Sequence, residues 1–121
     1  MYQIFVEQHF DAAHFLRGYK GKCEAVHGHR YKVVARIKAV ALDNTGLAYD
    51  FTDLKRHLRD ITASFDHVLL NDVPPFDKIN PSAENLAQNI FSKLEPKLGE
   101  GVSLMNIEVW ETPEQGVVYS P

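Results

Sequence analysis

The sequence predicts an α+β domain built on an antiparallel sheet, and three observations carry that prediction. Clean alternation over residues 29–42 puts Tyr31, Val33, Ala35, Ile37, Ala39 and Ala41 on one face of a strand, with Arg30, Lys32, Arg36 and Lys38 on the other. Two later segments carry apolar residues at helical spacing, each opening at a capping residue. Strand-like runs lie before and after that helical pair, so the element order is ββααββ. Sequential hairpins with segregated helices make an α+β arrangement, whereas parallel sheets need helices alternating with strands.

The first strand covers residues 2–10, where Tyr2, Ile4, Phe5 and Val6 favour extended chain although their alternation is imperfect; His14 lies beyond it. Residues 17–22, with two glycines and two lysines, form a loop. After the second strand, Asp43-Asn44-Thr45-Gly46 is a turn cluster. The first helix spans residues 52–64, with Leu54, Leu58, Ile61 and Phe65 on one face and Asp50 or Thr52 as its N-cap. Pro74-Pro75 breaks the chain before a second helix, which starts near Ser82 and carries Leu86, Ile90 and Leu94 until Pro96 stops it. A third strand over residues 102–111, a turn at 112–115 and a short strand at 116–119 complete the chain.

Composition sets the bounds. A chain of 121 residues is expected to be one domain, residues 1–121, burying about two-thirds of its unfolded surface. A net charge of −3 without any basic run argues against nucleic acid or an anionic membrane as partner. No apolar stretch reaches membrane-spanning length, and the N-terminus lacks the features of a signal peptide. A lone cysteine makes no internal disulfide, so a reduced thiol and a cytoplasmic location are expected.

The chemistry concentrates in Cys23-Glu-Ala-Val-His27-Gly-His29. Two histidines two apart project from one face of a strand, in phase with Tyr31 and Val33, which is how a strand presents two metal ligands. Neutral imidazole suits zinc first among the common ions. A third ligand is needed, and His14 is the best placed. Three histidines with an open fourth position describe a catalytic zinc; Cys23 as fourth ligand would close the site into a structural one. Cys23 could equally be an inert buried cysteine or a thiolate activated by a neighbour. Glu111 shares a face with Ile107 and Val109, so a carboxylate is aimed at apolar surroundings and needs a partner there. By themselves, Asp66 and His67 read as the polar end of the first helix.

Six motifs in order extend this reading: Phe10-Asp11-Ala12-Ala13-His14, Cys23-x-x-x-His27-Gly28-His29, Asp50-Phe51-x-x-Leu54-Lys55, Asp66-His67-x-x-Leu70-Asn71, Asn80-Pro81-Ser82-Ala83-Glu84-Asn85 and Trp110-Glu111-Thr112. Together they resemble the 6-pyruvoyltetrahydropterin synthase family, and its bacterial 6-carboxytetrahydropterin synthase branch most closely, because the Cys-to-His-Gly-His spacing is short. The resemblance implies the tunnelling fold: a four-stranded antiparallel sheet with two helices on one face, assembled as a homohexamer of stacked trimers with active sites at subunit interfaces. It implies zinc on His14, His27 and His29, and Cys23 as general base. It implies a relay of Asp66 and His67, and Glu111 accepting the donor edge of the pterin ring. An internal salt bridge is the alternative for Glu111.

The implied activity is a zinc-dependent lyase of queuosine biosynthesis, converting 7,8-dihydroneopterin triphosphate to 6-carboxy-5,6,7,8-tetrahydropterin, acetaldehyde and triphosphate. A 6-pyruvoyltetrahydropterin synthase that stops before carbon–carbon cleavage is the alternative enzyme. A non-catalytic zinc module is the alternative from another class.

Overall fold

The computed structural model describes residues 1–21 and 24–121, so Cys23 and Lys22 lie outside the described residues. Its elements in order are β1 (Tyr2–His14), β2 (His27–Ala39), α1 (Phe51–Thr62), β3 (Val68–Leu69), α2 (Ala83–Leu94), β4 (Val102–Thr112) and β5 (Gln115–Tyr119). Among the described residues they form one sheet in the order β3-β1-β2-β4-β5. The four long strands are antiparallel neighbours as expected, while β3 adds a fifth, two-residue strand parallel to Ala12 and Ala13. A strand that short has no periodicity to read, which is why the sequence predicts four.

Tyr31, Val33, Ala35, Ile37 and Ala39 are all buried, so the predicted alternation of β2 holds. They face Ile4, Val6 and Phe10 of β1 and Ile107 and Val109 of β4 in one cluster that also takes in both helices. Phe10 stacks on Tyr31 with ring centroids 4.8 Å apart. Leu54, Leu58 and Ile61 of α1 and Leu86, Ile90 and Leu94 of α2 fill the same layer. Both helices therefore cover one face of the sheet. Asp50 caps α1 by accepting from the Thr52 amide at 2.8 Å, and Ser82 caps α2 from the Asn85 amide at 3.2 Å.

Two boundaries differ from expectation, and the first matters to the site. β1 runs on to His14 instead of stopping at Phe10, because its ladder with β2 continues to the pair His14 and His27. Cross-strand pairing carries Asp11-Ala12-Ala13, a stretch of weak strand propensity, into the sheet. At its other end β2 stops at Ala39, where both β1 and β4 run out, leaving Ala41 exposed outside the strand. The register of β4 is also broken twice. Met105 is skipped opposite the Arg36–Ile37 step, and Glu111 is skipped between the pairs Trp110–Gly116 and Thr112–Gln115.

Candidate metal centre and active site

The antiparallel register builds a three-histidine cluster at one end of the sheet. His14, the last residue of β1, lies directly opposite His27, the first of β2, and His29 follows on the same face. The three rings meet edge-on with centroids 4.6, 5.2 and 4.9 Å apart. His14 is buried, whereas His27 and His29 are half-buried.

Hydrogen bonding decides which nitrogen each ring offers. His14 Nδ1 lies 2.8 Å from the Pro81 carbonyl, and His27 Nδ1 lies 2.7 Å from the Ala25 carbonyl. A carbonyl can only accept, so both Nδ1 atoms carry the proton and both Nε2 atoms present lone pairs. Those two Nε2 atoms face each other at 3.0 Å. Two acceptors at that distance repel unless a cation or proton lies between them. Nitrogen ligands of a tetrahedral zinc stand roughly 3.3 Å apart, so the spacing fits an ion of this kind. Any pair of ligand atoms among His14, His27 and His29 lies within 4.8 Å. Burial is the main force holding His14 below the ordinary imidazole range, and it lowers His29 too, so both are neutral, ligand-ready rings near pH 7. The residues present therefore fit a bound metal.

Glu111 closes the remaining side. As the unpaired residue of a bulge, it is turned out of the regular β4 ladder. Its Oε2 lies 3.5 Å from His14 Nε2 and 3.6 Å from His29 Nε2, while Oε1 accepts from Gln115 Nε2 at 3.3 Å. Glu111 therefore lies beside the imidazole cluster, with Gln115 Nε2 as the donor it accepts from.

Asp66 and His67 form a second group. A single 3-10 turn at Ala63–Phe65 ends the helix, Asp66 is extended, and His67 adopts a left-handed φ of 58°. That departure from helix lets adjacent residues meet, with His67 Nδ1 and Asp66 Oδ1 3.0 Å apart. The His67 amide donates to the Asp11 carbonyl at 2.6 Å, and the Asp11 amide donates to Asp66 Oδ1 at 3.0 Å. The Asp11 amide first, and the His67 ring second, hold the Asp66 carboxyl below the usual range. His67 is thus a non-glycine residue held at positive φ, a local backbone strain flanked by these two bonds. His67 is 77% exposed, so its ring is open to a partner or substrate.

The chain thus brings His14, His27, His29 and Glu111 together, and separately groups Asp11, Asp66 and His67. His29 and His67 border one shallow concavity of about 500 Å³ across the strand ends. Cys23 lies outside the described residues. Sequence reasoning missed the Pro81 carbonyl and the Tyr31 hydroxyl, which lies 3.1 Å from His14 Nδ1. Tyr31 could have been found, since it sits two residues beyond His29 on the same face. Trp110 is on the opposite face, donating to Glu108 at 2.9 Å under the Lys32 ammonium.

Comparison with known proteins finds relatives over most of the chain. The chain is 38% identical over 118 residues to the 6-carboxy-5,6,7,8-tetrahydropterin synthase of Synechocystis sp., covering 93% of this chain and 88% of that one. It is 30% identical over 128 residues to the enzyme of the same name from Bacillus subtilis, covering 99% and 86%. The solved structure of Caenorhabditis elegans 6-pyruvoyl tetrahydropterin synthase superposes with a TM-score of 0.86 at 27% identity, covering 99% of this chain and 95% of that one. The family model for 6-pyruvoyl tetrahydropterin synthase matches residues 3–121. With the fold, the clustered histidines and these matches in agreement, the chain belongs to the 6-pyruvoyl tetrahydropterin synthase family of lyase enzymes.

Proposed function

We propose that this protein is a zinc-dependent 6-carboxy-5,6,7,8-tetrahydropterin synthase of queuosine biosynthesis. Its substrate would be 7,8-dihydroneopterin triphosphate, and its products 6-carboxy-5,6,7,8-tetrahydropterin, acetaldehyde and triphosphate. The observation that carries the reading is the pair of opposed Nε2 lone pairs at 3.0 Å, with a half-buried carboxylate beside them. The name shared by the Synechocystis and Bacillus relatives supports the choice of product.

His14, His27 and His29 hold the ion in this reading. Zinc bound there supplies a Lewis acid for the hydroxyls of the substrate side chain. Glu111 accepts the forked N–H edge of the pterin, which orients the ring. Cys23, as a thiolate, takes carbon-bound protons from the side chain. His67 returns or shuttles those protons, with Asp66 setting its tautomer and orientation. A lone thiol without a disulfide partner fits the reducing cytoplasm.

The active site in this proposal is shared between subunits of a homohexamer, Cys23 of one chain working with Asp66 and His67 of its neighbour. Support comes from the sheet edges and from the grouping of the side chains. Among the described residues β3 covers only Ala12 and Ala13, so most of β1 has an open edge, as does the outer side of β5. Phe5 and Val118 are 58% and 63% exposed on those strands. Closing such edges through neighbouring copies removes both liabilities. The Asp66–His67 pair also groups with Asp11 rather than with the three histidines.

The name of the Caenorhabditis structure favours a second reading, release of a 6-pyruvoyl product without carbon–carbon cleavage. Incubating zinc-loaded protein with dihydroneopterin triphosphate decides between them. Carboxytetrahydropterin with stoichiometric acetaldehyde is the expected result. A pyruvoyl pterin without acetaldehyde would overturn it.

A further inference from the structure

The last part of the outer β1 edge, past Phe10, is closed in an unusual way. In extended chain every second residue turns its N–H and C=O to the same side. At Asp11 that edge is met by the Asp66 carboxylate and the His67 amide, and at Ala12 and Ala13 by β3. Among the described residues, no further strand continues this edge beyond β3. Asn71 instead takes Phe15, its Oδ1 accepting from the Phe15 amide at 3.0 Å and its Nδ2 donating to the Phe15 carbonyl at 3.0 Å. Asn80 takes Arg17 in the same manner, at 2.9 Å in both directions. A carboxamide offers the acceptor and donor of a peptide group, so each asparagine stands in for a strand residue.

These clamps lead back to the metal centre. Asn80 is itself held, its backbone carbonyl accepting from Asn85 Nδ2 at 2.8 Å. The next residue, Pro81, supplies the carbonyl that takes the His14 ring at 2.8 Å. The Arg17 guanidinium adds bonds to the Phe76 and Ile79 carbonyls at 3.0 and 3.3 Å. Asn71 is buried at 5% exposure, so its full hydrogen-bond complement is needed rather than optional. One segment therefore grips both the backbone leaving His14 and the ring of His14.

We propose that Asn71 and Asn80 are positioning residues for the metal centre, extending the sheet edge in side-chain form so that His14 keeps its tautomer and aim. The proposal rests on the metal reading above. Asparagine matches both facing backbone groups, whereas aspartate accepts but cannot donate to the carbonyl, and glutamine is a methylene too long. Partners that orient a ligand commonly carry a tenfold to hundredfold share of metal affinity.

The test titrates the metal-free protein with cobalt(II), whose visible spectrum reports ligand geometry. Asn80→Asp and Asn71→Ser should each bind cobalt about tenfold more weakly, with altered visible bands, while circular dichroism shows them folded. Asp50→Ala, which removes the α1 cap far from this edge, should lower Tm yet keep wild-type affinity and spectrum. If Asn80→Asp fails to fold, Asn80→Ser removes the amide without adding charge and is read the same way. Folded asparagine variants with unchanged affinity and bands would overturn the proposal and leave the metal reading standing. Failure of the wild type to bind cobalt through its histidines would overturn both.

Discussion

Individual residues carry the metal reading, and three expectations belong at that scale. With its Nδ1–H donated to the Ala25 carbonyl, His27 has only Nε2 to offer, and that atom faces His14. Two imidazoles do not retain the ion, so His27→Ala should lose zinc, and metal analysis showing full occupancy would remove His27 from the site. Glu111→Ala should weaken pterin binding by a few kcal/mol, because a forked donor edge would be left unpaired in a partly buried pocket. Calorimetry giving unchanged binding would assign Glu111 to the histidines alone, to which it is already close at 3.5 and 3.6 Å. Acid should also act through the histidines in the metal-free protein. Burial lowers His14 and His29, so below about pH 6.5 the unfolded chain binds protons that the folded chain refuses. Stability is then full above that pH and falls as pH drops through the lowered folded values, by at most about 1.4 kcal/mol per pH unit for each ring. Urea unfolding at pH 7.5 and 5.5 should reveal the loss, and His14→Gln should shrink it; an unchanged pH response in that variant would mean His14 is not the group resisting protonation.

At the scale of elements, the helices supply the core and the strand irregularities supply the chemistry. Leu58 is fully buried between α1 and the sheet, so Leu58→Ala should cost about 2–5 kcal/mol in urea unfolding. A cost below about 1 kcal/mol would mean that α1 repacks against the sheet. The helices were legible because apolar spacing and start signals are local, and the structure chose Asp50 over Thr52 as the cap of α1. The Glu111 bulge was not legible: strict alternation already placed the carboxylate on the correct face, and only pairing with β5 shows that it has no partner across the ladder. The same holds for the end of β1, where pairing with β2 extends the strand four residues past Phe10 to His14.

The whole molecule enters through the proposed sharing of the active site between subunits. If the site is completed by a neighbour, Cys23→Ala and His67→Ala, each inactive alone, should regain part of the activity when co-assembled, since some interfaces then receive both intact residues. Native mass spectrometry would confirm the mixing. Mixed assemblies without activity would place the relay within one chain.

The sequence by itself determined the fold class, both helices and roughly where each begins, the buried face of β2 and the His27–Gly28–His29 pair. All of these rest on periods of two or 3.6 residues, or on side chains acting on their own backbone. Tertiary structure decided what periodicity cannot encode. It set the cross-strand register that puts His14 opposite His27, and the left-handed turn that joins His67 to Asp66. It also placed Asn71 and Asn80 on residues more than fifty positions earlier in the chain. Those contacts depend on which distant backbone groups meet at a sheet edge, and that is settled only when the two helices and the sheet pack around one core.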